Sequence, residues 1–206
     1  MREPIDPRRT ALLLVDLQND FLHSKGAYAR AGVRSDATAA LPARLAPSAR
    51  ALQRAGGFVV ATLFTLVPGR GGAPLIAPHL ARLRPFLGPG DFAPGSWGQR
   101  LVDELQPADF TIEKVAYSAF YMSRLEWVLD KAGIDTLVLG GIVTNGGVAS
   151  TLRDAHVREY RTILLEDGCA AFSDVAHEAA LASLRTVSET ARCAEFLALL
   201  EGTTAP

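Results

Sequence analysis

Three places in this chain combine a residue type with a setting that could do chemistry. Asp16 follows the apolar run ALLLV and opens DLQNDF, Lys114 closes FTIEK, and Gly146 and Gly147 lie in GGIVTNGGVASTLRDA at 140–155. A carboxylate at the end of a buried strand is costly unless it is paired. A strand-end lysine would supply the pair, and the two together suit proton transfer. A helix beginning near Gly147 would aim backbone N–H groups and a positive dipole end at whatever occupies the turn, which suits an anion or oxyanion. Each feature also has a plainer reading. Asp16 can cap a neighbouring loop, Lys114 can face solvent on an edge strand, and a glycine can serve a tight turn that needs positive φ.

These residues need elements to hold them. The runs TALLLVDL (10–17), GGFVVATLF (56–64), DTLVLGGIV (135–143) and RTILLED (161–167) read as strands covered on both faces, with DFTIEKV (109–115) and TARCAEF (190–196) as weaker strands. Helical periods fall at 36–54, 97–105, 122–132, 146–158 and 174–188, long enough to cross between parallel strands. Asp174 is the expected N-cap of the last helix, Gly133 a C-cap after LDKA, and Pro47 a break or kink in the first helix. The class is α/β, a three-layer, doubly wound, Rossmann-like sandwich of about six mostly parallel strands, in which ligands bind outside the carboxyl ends of the strands. The Pro- and Gly-rich segment 66–96 is long for a connection and reads as a functional loop.

Composition narrows the partner. With 206 residues, 49% of them hydrophobic, the chain fits a single domain over 1–206. A net charge of −1 with scattered basic residues offers no footprint for nucleic acid, and no apolar run is long enough to suggest a membrane span. The opening MREPIDPRRT has no apolar leader core, so a cytoplasmic protein with a small-molecule substrate is expected. Cys169 and Cys193 lie on expected later strands and read as buried small hydrophobes rather than a disulfide pair. His23, His79, His156 and His177 are dispersed, so neither a metal nor another cofactor is expected. Ser150 and Thr151 would project from the flank of the helix after Gly147, away from its dipole end. Arg70, in GRGG, could meet an acidic substrate or face water.

DLQNDF (16–21), GSWG (95–98), EKVAYSAF (113–120) and GGIVTNGGVASTLRDA (140–155), in that order and spacing, resemble the isochorismatase-like hydrolase superfamily, which contains the cysteine hydrolases. The resemblance spans essentially the whole chain. It implies a six-stranded sheet, homo-oligomers (dimers or tetramers), and an Asp-Lys-Cys triad that falls on Asp16, Lys114 and Gly147. The nucleophile's position therefore holds a glycine, and the thioester route has no thiol there. A branch with this substitution, the isochorismatases, cleaves an enol (vinyl) ether with the Asp as general acid, and this is the leading expectation. Against it, TLVP at 65–68 puts Val67 where that branch has a substrate-contacting Gln, and the TN and STLRDA frame resembles the amide-hydrolysing branch. Direct water attack on an amide or ureido group is the alternative, and a member that binds a small ligand without catalysis is the other. The metal-binding residues of the nicotinamidase branch have no counterpart in LFTLVPGRGGAPL. The same mapping suggests substrate contacts at Phe21, Phe64, Val67, Trp97, Tyr117, Tyr121, Ile142, Val143, Asn145 and Gly146. It also implies a cis peptide bond between Ile142 and Val143.

Overall fold

Every residue of the first strand, β1 (Thr10–Val15), is buried, as expected for a strand with apolar matter on both faces. Its alternate side chains enter two different cores: Leu12 and Leu14 on one side, Ala11, Leu13 and Val15 on the other. A computed structural model describes residues 4–203 of the chain and shows how the remaining elements cover those faces. The strands β2 (Phe58–Phe64), β3 (Phe110–Lys114), β4 (Thr136–Ile142), β5 (Arg161–Ala170) and β6 (Glu189–Ala191) join β1 in one sheet of order β3-β2-β1-β4-β5-β6. All of its pairings are parallel.

The helices are α1 (Asn19–Leu22), α2 (Ala27–Arg30), α3 (Asp36–Ala39), α4 (Leu41–Arg54), α5 (Pro78–Leu83), α6 (Leu125–Lys131), α7 (Ala149–Val157), α8 (Asp174–Leu184) and α9 (Cys193–Thr203). Leu41, Leu45 and Leu52 of α4 and Phe196 and Leu200 of α9 cover one face of the sheet. Leu125 and Leu129 of α6, Leu152 of α7, and Leu181 and Leu184 of α8 cover the other. The three layers are thus α/β/α. Among the described residues no helix is long and apolar enough to cross a membrane.

Several local expectations change. Pro47 does not break its helix: α4 runs through it, and the break falls at Ala40, between α3 and α4. Pro47 lies on the exposed face, where water can take the carbonyl hydrogen bond that proline cannot make. The segment 97–105 is not an α-helix. The amides of Asn19 and Asp20 bind the carbonyls of Arg100 and Gly98, and Val102 donates to Leu17, so a helix would lose the carbonyls already used. The segment's one helical piece is Asp103–Leu105, a single 3₁₀ turn. TARCAEF divides: its start belongs to β6, and Cys193 begins α9 rather than lying on a strand, because Arg192 N–H bonds Glu195 and Cys193 N–H bonds Asp167 at the helix start. Ser173, not Asp174, caps α8, its hydroxyl accepting from Ala176 N–H. Gly133 follows α6 with φ 69°, the left-handed conformation that ends helices.

The strand order places a switch point beside β1. The chain lays β2 and β3 to one side, then returns with β4 on the other, so the carboxyl ends of β1 and β4 frame the crevice where such sheets bind ligands. Asp16 stands at one lip and the 144–148 turn at the other.

Candidate active site

Asp16 leaves β1 with φ 57°, a left-handed conformation that aspartate tolerates better than most residues. In the parallel register Val15 lies opposite Thr62 on β2 and Gly141 on β4, and Lys114 lies opposite Phe64. The ends of four adjacent strands therefore converge. Lys114 Nζ sits 2.7 Å from Asp16 Oδ2, with its side chain only 1% exposed. Its other protons go to the carbonyls of Ala116 at 3.0 Å and Tyr117 at 3.2 Å, so all three ammonium donors are used. Thr62 Oγ1 donates to Asp16 Oδ1 at 3.1 Å. The ring of Phe64 stands 5.8 Å from Lys114 Nζ.

A buried pair of this kind offers little stability over an apolar one, and its geometry has to be held by other groups. The rest of DLQNDF supplies the brace. Gln18 donates to the carbonyls of Phe64 and Gln99 and accepts from Phe64 N–H, tying the end of β2 to the loop before β3. Asp20 accepts from Ala27 and Phe92 N–H, and Asn19 donates to Trp97 O. Burial pushes the Asp16 carboxyl above its ordinary value, and the Lys114 charge and the Lys114 and Thr62 hydrogen bonds only partly offset it. Asp16 is thus a carboxyl suited to gaining and losing a proton closer to neutral pH.

Facing the pair is a wide turn, Thr144–Val148, that leads into α7. The Ile142–Val143 peptide bond before it is cis. A Cβ placed on Gly147 would stand 3.0 Å from Asp16 Oδ2, 3.1 Å from Ile142 O and 3.3 Å from Val15 Cγ1. Any side chain here would point at the carboxylate from close range, and glycine keeps that contact free of a side chain. Thr144 is held from outside by a hydrogen bond of 2.8 Å between its hydroxyl and His177 Nδ1.

The other sequence-derived candidates divide. Phe21 and Phe64 join one aromatic cluster with Tyr28 and Phe92. Tyr117 approaches the turn, its Cε1 3.3 Å from a Cβ position on Gly146. Ile142 is core, and Val143 packs against it. Trp97 stacks edgewise on His23 at 4.9 Å, Val67 lies in a surface loop where its carbonyl binds Leu75 N–H, and Tyr121 and Asn145 are exposed. Arg70 is exposed to solvent. Thr62, Gln18, Tyr28, Phe92 and Phe172 join the site region without being marked as candidates by sequence. Thr62 carried a usable signal, as the one hydroxyl inside GGFVVATLF; the others only acquire meaning once the loops are folded.

Neither thiol reaches the pair. Cys169 is buried on β5 with its Sγ 3.8 Å from Leu139 O, and burial pushes its thiol up; burial likewise pushes Cys193 up to about 12. Thr151 Oγ1 is occupied as the acceptor for Ala119 N–H at 3.0 Å. Among the described residues no group of three His, Cys, Asp or Glu is placed to hold a metal ion.

The sequence model of the Isochorismatase domain family matches residues 10–197. The ureidoacrylate amidohydrolase RutB of Methylobacterium radiotolerans is 37% identical over 198 residues, covering 89% of this chain and 77% of its own. The crystal structure of a cysteine hydrolase from Pseudomonas syringae pv. phaseolicola superposes with a TM-score of 0.83 at 27% identity, over 98% of this chain and 96% of its own. N-carbamoylsarcosine amidase from Thermoplasma acidophilum does so with a TM-score of 0.70 at 26% identity, over 90% and 96%. The chain belongs to the isochorismatase family and is a hydrolase.

Proposed function

We propose that this protein hydrolyses a ureido or amide bond of a small metabolite by direct attack of water, with Asp16 as general base and Lys114 as its electrostatic partner. The observation that carries the reading is the buried Asp16–Lys114 pair, 2.7 Å apart, beside a turn whose Gly147 carries no nucleophile, which leaves Asp16 to activate a water instead. The relatives named for ureidoacrylate and N-carbamoylsarcosine support a ureide over the enol ether that led the sequence reading.

In this mechanism the water oxygen bonds to the carbonyl carbon and its proton passes to Asp16. The carbonyl π electrons move onto oxygen, where the backbone of the 143–147 turn stabilises the negative charge. The C–N bond then breaks with its electron pair on nitrogen, which takes the proton from Asp16. An amine and a carbamate or carboxylic acid leave. Lys114 keeps Asp16 oriented and lowers the cost of its charge while water attacks. Enol-ether cleavage stays as a second reading because the raised Asp16 carboxyl also suits a general acid. The family resemblance supports a homo-oligomer, which sedimentation would measure.

The test presents ureidoacrylate, N-carbamoylsarcosine, simple amides and isochorismate to wild type and to Asp16→Asn, with products followed by mass spectrometry. Turnover of a ureide or amide that falls about 10²–10⁴-fold in Asp16→Asn is expected, the usual range for losing a general base. Turnover of isochorismate alone would overturn the reading in favour of enol-ether chemistry.

A further inference from the structure

One cation near the site has no part in the acid-base pair. Arg84 follows α5 in the long loop and is only half-buried. Its Nε donates to Tyr28 Oη at 3.1 Å and its Nη1 to Leu83 O at 3.1 Å, and its side chain also meets that of Tyr117. These partners are neutral. Of the other cations here, Arg30 pairs with Asp91 and Asp20 and Lys114 with Asp16, whereas Arg70 and Arg82 are exposed on the surface of the loop.

Two routes connect Arg84 to the reacting centre. On one side Tyr28 packs against Phe21 at 4.7 Å, Phe21 against Phe64 at 6.3 Å, and Phe64 lies beside Lys114. On the other, Tyr117 spans from Arg84 to the Gly146 turn. Tyr28 also stacks on Phe172 at 5.1 Å, so the hydroxyl that holds Arg84 belongs to a ring fixed in an aromatic cluster. A half-buried guanidinium held by tyrosine hydroxyls rather than by a carboxylate favours a planar anion that it can bind with two hydrogen bonds.

Resting on the hydrolase reading above, we propose that Arg84 is a specificity-determining residue that binds the carboxylate of a short ureido- or amido-carboxylic acid, whose scissile carbonyl then lies between Asp16 and the 144–148 turn. Tyr28 and Tyr117 hold the guanidinium in place before substrate arrives, which reduces the ordering cost on binding. The loop of 66–96 thereby contributes selectivity, while the strand ends contribute chemistry.

The experiment compares 3-ureidopropanoate with its methyl ester on wild type, Arg84→Gln and Arg84→Lys, and in parallel measures binding of acrylate and acrylamide by calorimetry. Wild type is expected to prefer the acid. Arg84→Gln should lower kcat/KM for the acid about 10–100-fold, as for loss of a hydrogen bond to a charged group, mainly through KM, with the ester changed little. Arg84→Lys should recover part of the loss. Equal losses on acid and ester, or no preference in wild type, would overturn the proposal and leave Arg84 a loop brace. Should no ureide turn over at all, the hydrolytic reading fails separately, and calorimetry still decides: saturable acrylate binding that disappears in Arg84→Gln supports Arg84, whereas binding that is absent or indifferent to the substitution refutes it. Arg84→Met, which keeps the aliphatic stem against the rings, replaces Arg84→Gln if melting shows that variant to be unfolded.

Discussion

In the proposed mechanism Asp16 is the residue on which the chemistry turns, and its environment makes opposing demands on it. Burial favours the protonated carboxyl and Lys114 favours the carboxylate, with burial the stronger. As a general base it must be ionised, so the acid limb of kcat/KM should lie above the ordinary value of 3.8. Lys114→Met should move that limb higher still and lower the melting temperature, since breaking a buried pair costs about 3–5 kcal/mol. The stability sign follows from the same direction. A carboxyl raised in the folded state binds more protons there than when unfolded, so Asp16 stabilises the fold below 3.8 and that contribution is lost as pH rises through the folded value. Melting curves of wild type against Asp16→Asn should therefore show the balance moving toward Asn across that window, and a balance constant with pH would contradict the raised carboxyl. Gly147→Cys belongs at this scale too. Its Cβ is held only about as tightly as a few tenths of an ångström of relaxation can accommodate. The variant should fold, place a thiol beside Asp16, and become sensitive to iodoacetamide.

At the scale of elements, the site depends on turns more than on strands. β1, β2, β4 and β5 were legible in sequence because continuous apolar runs of that length fit strands buried on both faces. The end of the chain is ambiguous in sequence because TARCAEF holds both a strand end and a helix start, and Phe196 and Leu200 at i and i+4 face the core together. The segment 97–105 has a helical period but no α-helix because its carbonyls serve DLQNDF, a partnership between residues some eighty positions apart that no local period announces. That partnership leaves no room at Gly98, where a Cβ would lie 2.0 Å from Asp20 Oδ2. Gly98→Ala should thus cost about 1–3 kcal/mol, as overpacking does. Thermal unfolding measures it, and an unchanged melting temperature would show that the DLQNDF brace is dispensable.

For the whole molecule, the parallel order brings Asp16, Lys114 and Gly147 together at the switch point from positions spread over most of the chain. The sequence made these three legible because each ends a strand or starts a turn. The Arg84 approach was not, since the 66–96 loop has no period to read and its aromatic partners come from Tyr28 and Phe172 elsewhere. The fold also keeps both native thiols out of the crevice, with Cys169 and Cys193 buried and their thiols raised. The most direct measurement of a thiol-free reaction is intact-protein mass spectrometry on enzyme quenched during turnover of the best ureide or amide substrate. The account predicts the unmodified mass for wild type and an acyl adduct at the new thiol for Gly147→Cys. An adduct on wild type that maps to Cys169 or Cys193 would contradict direct water attack.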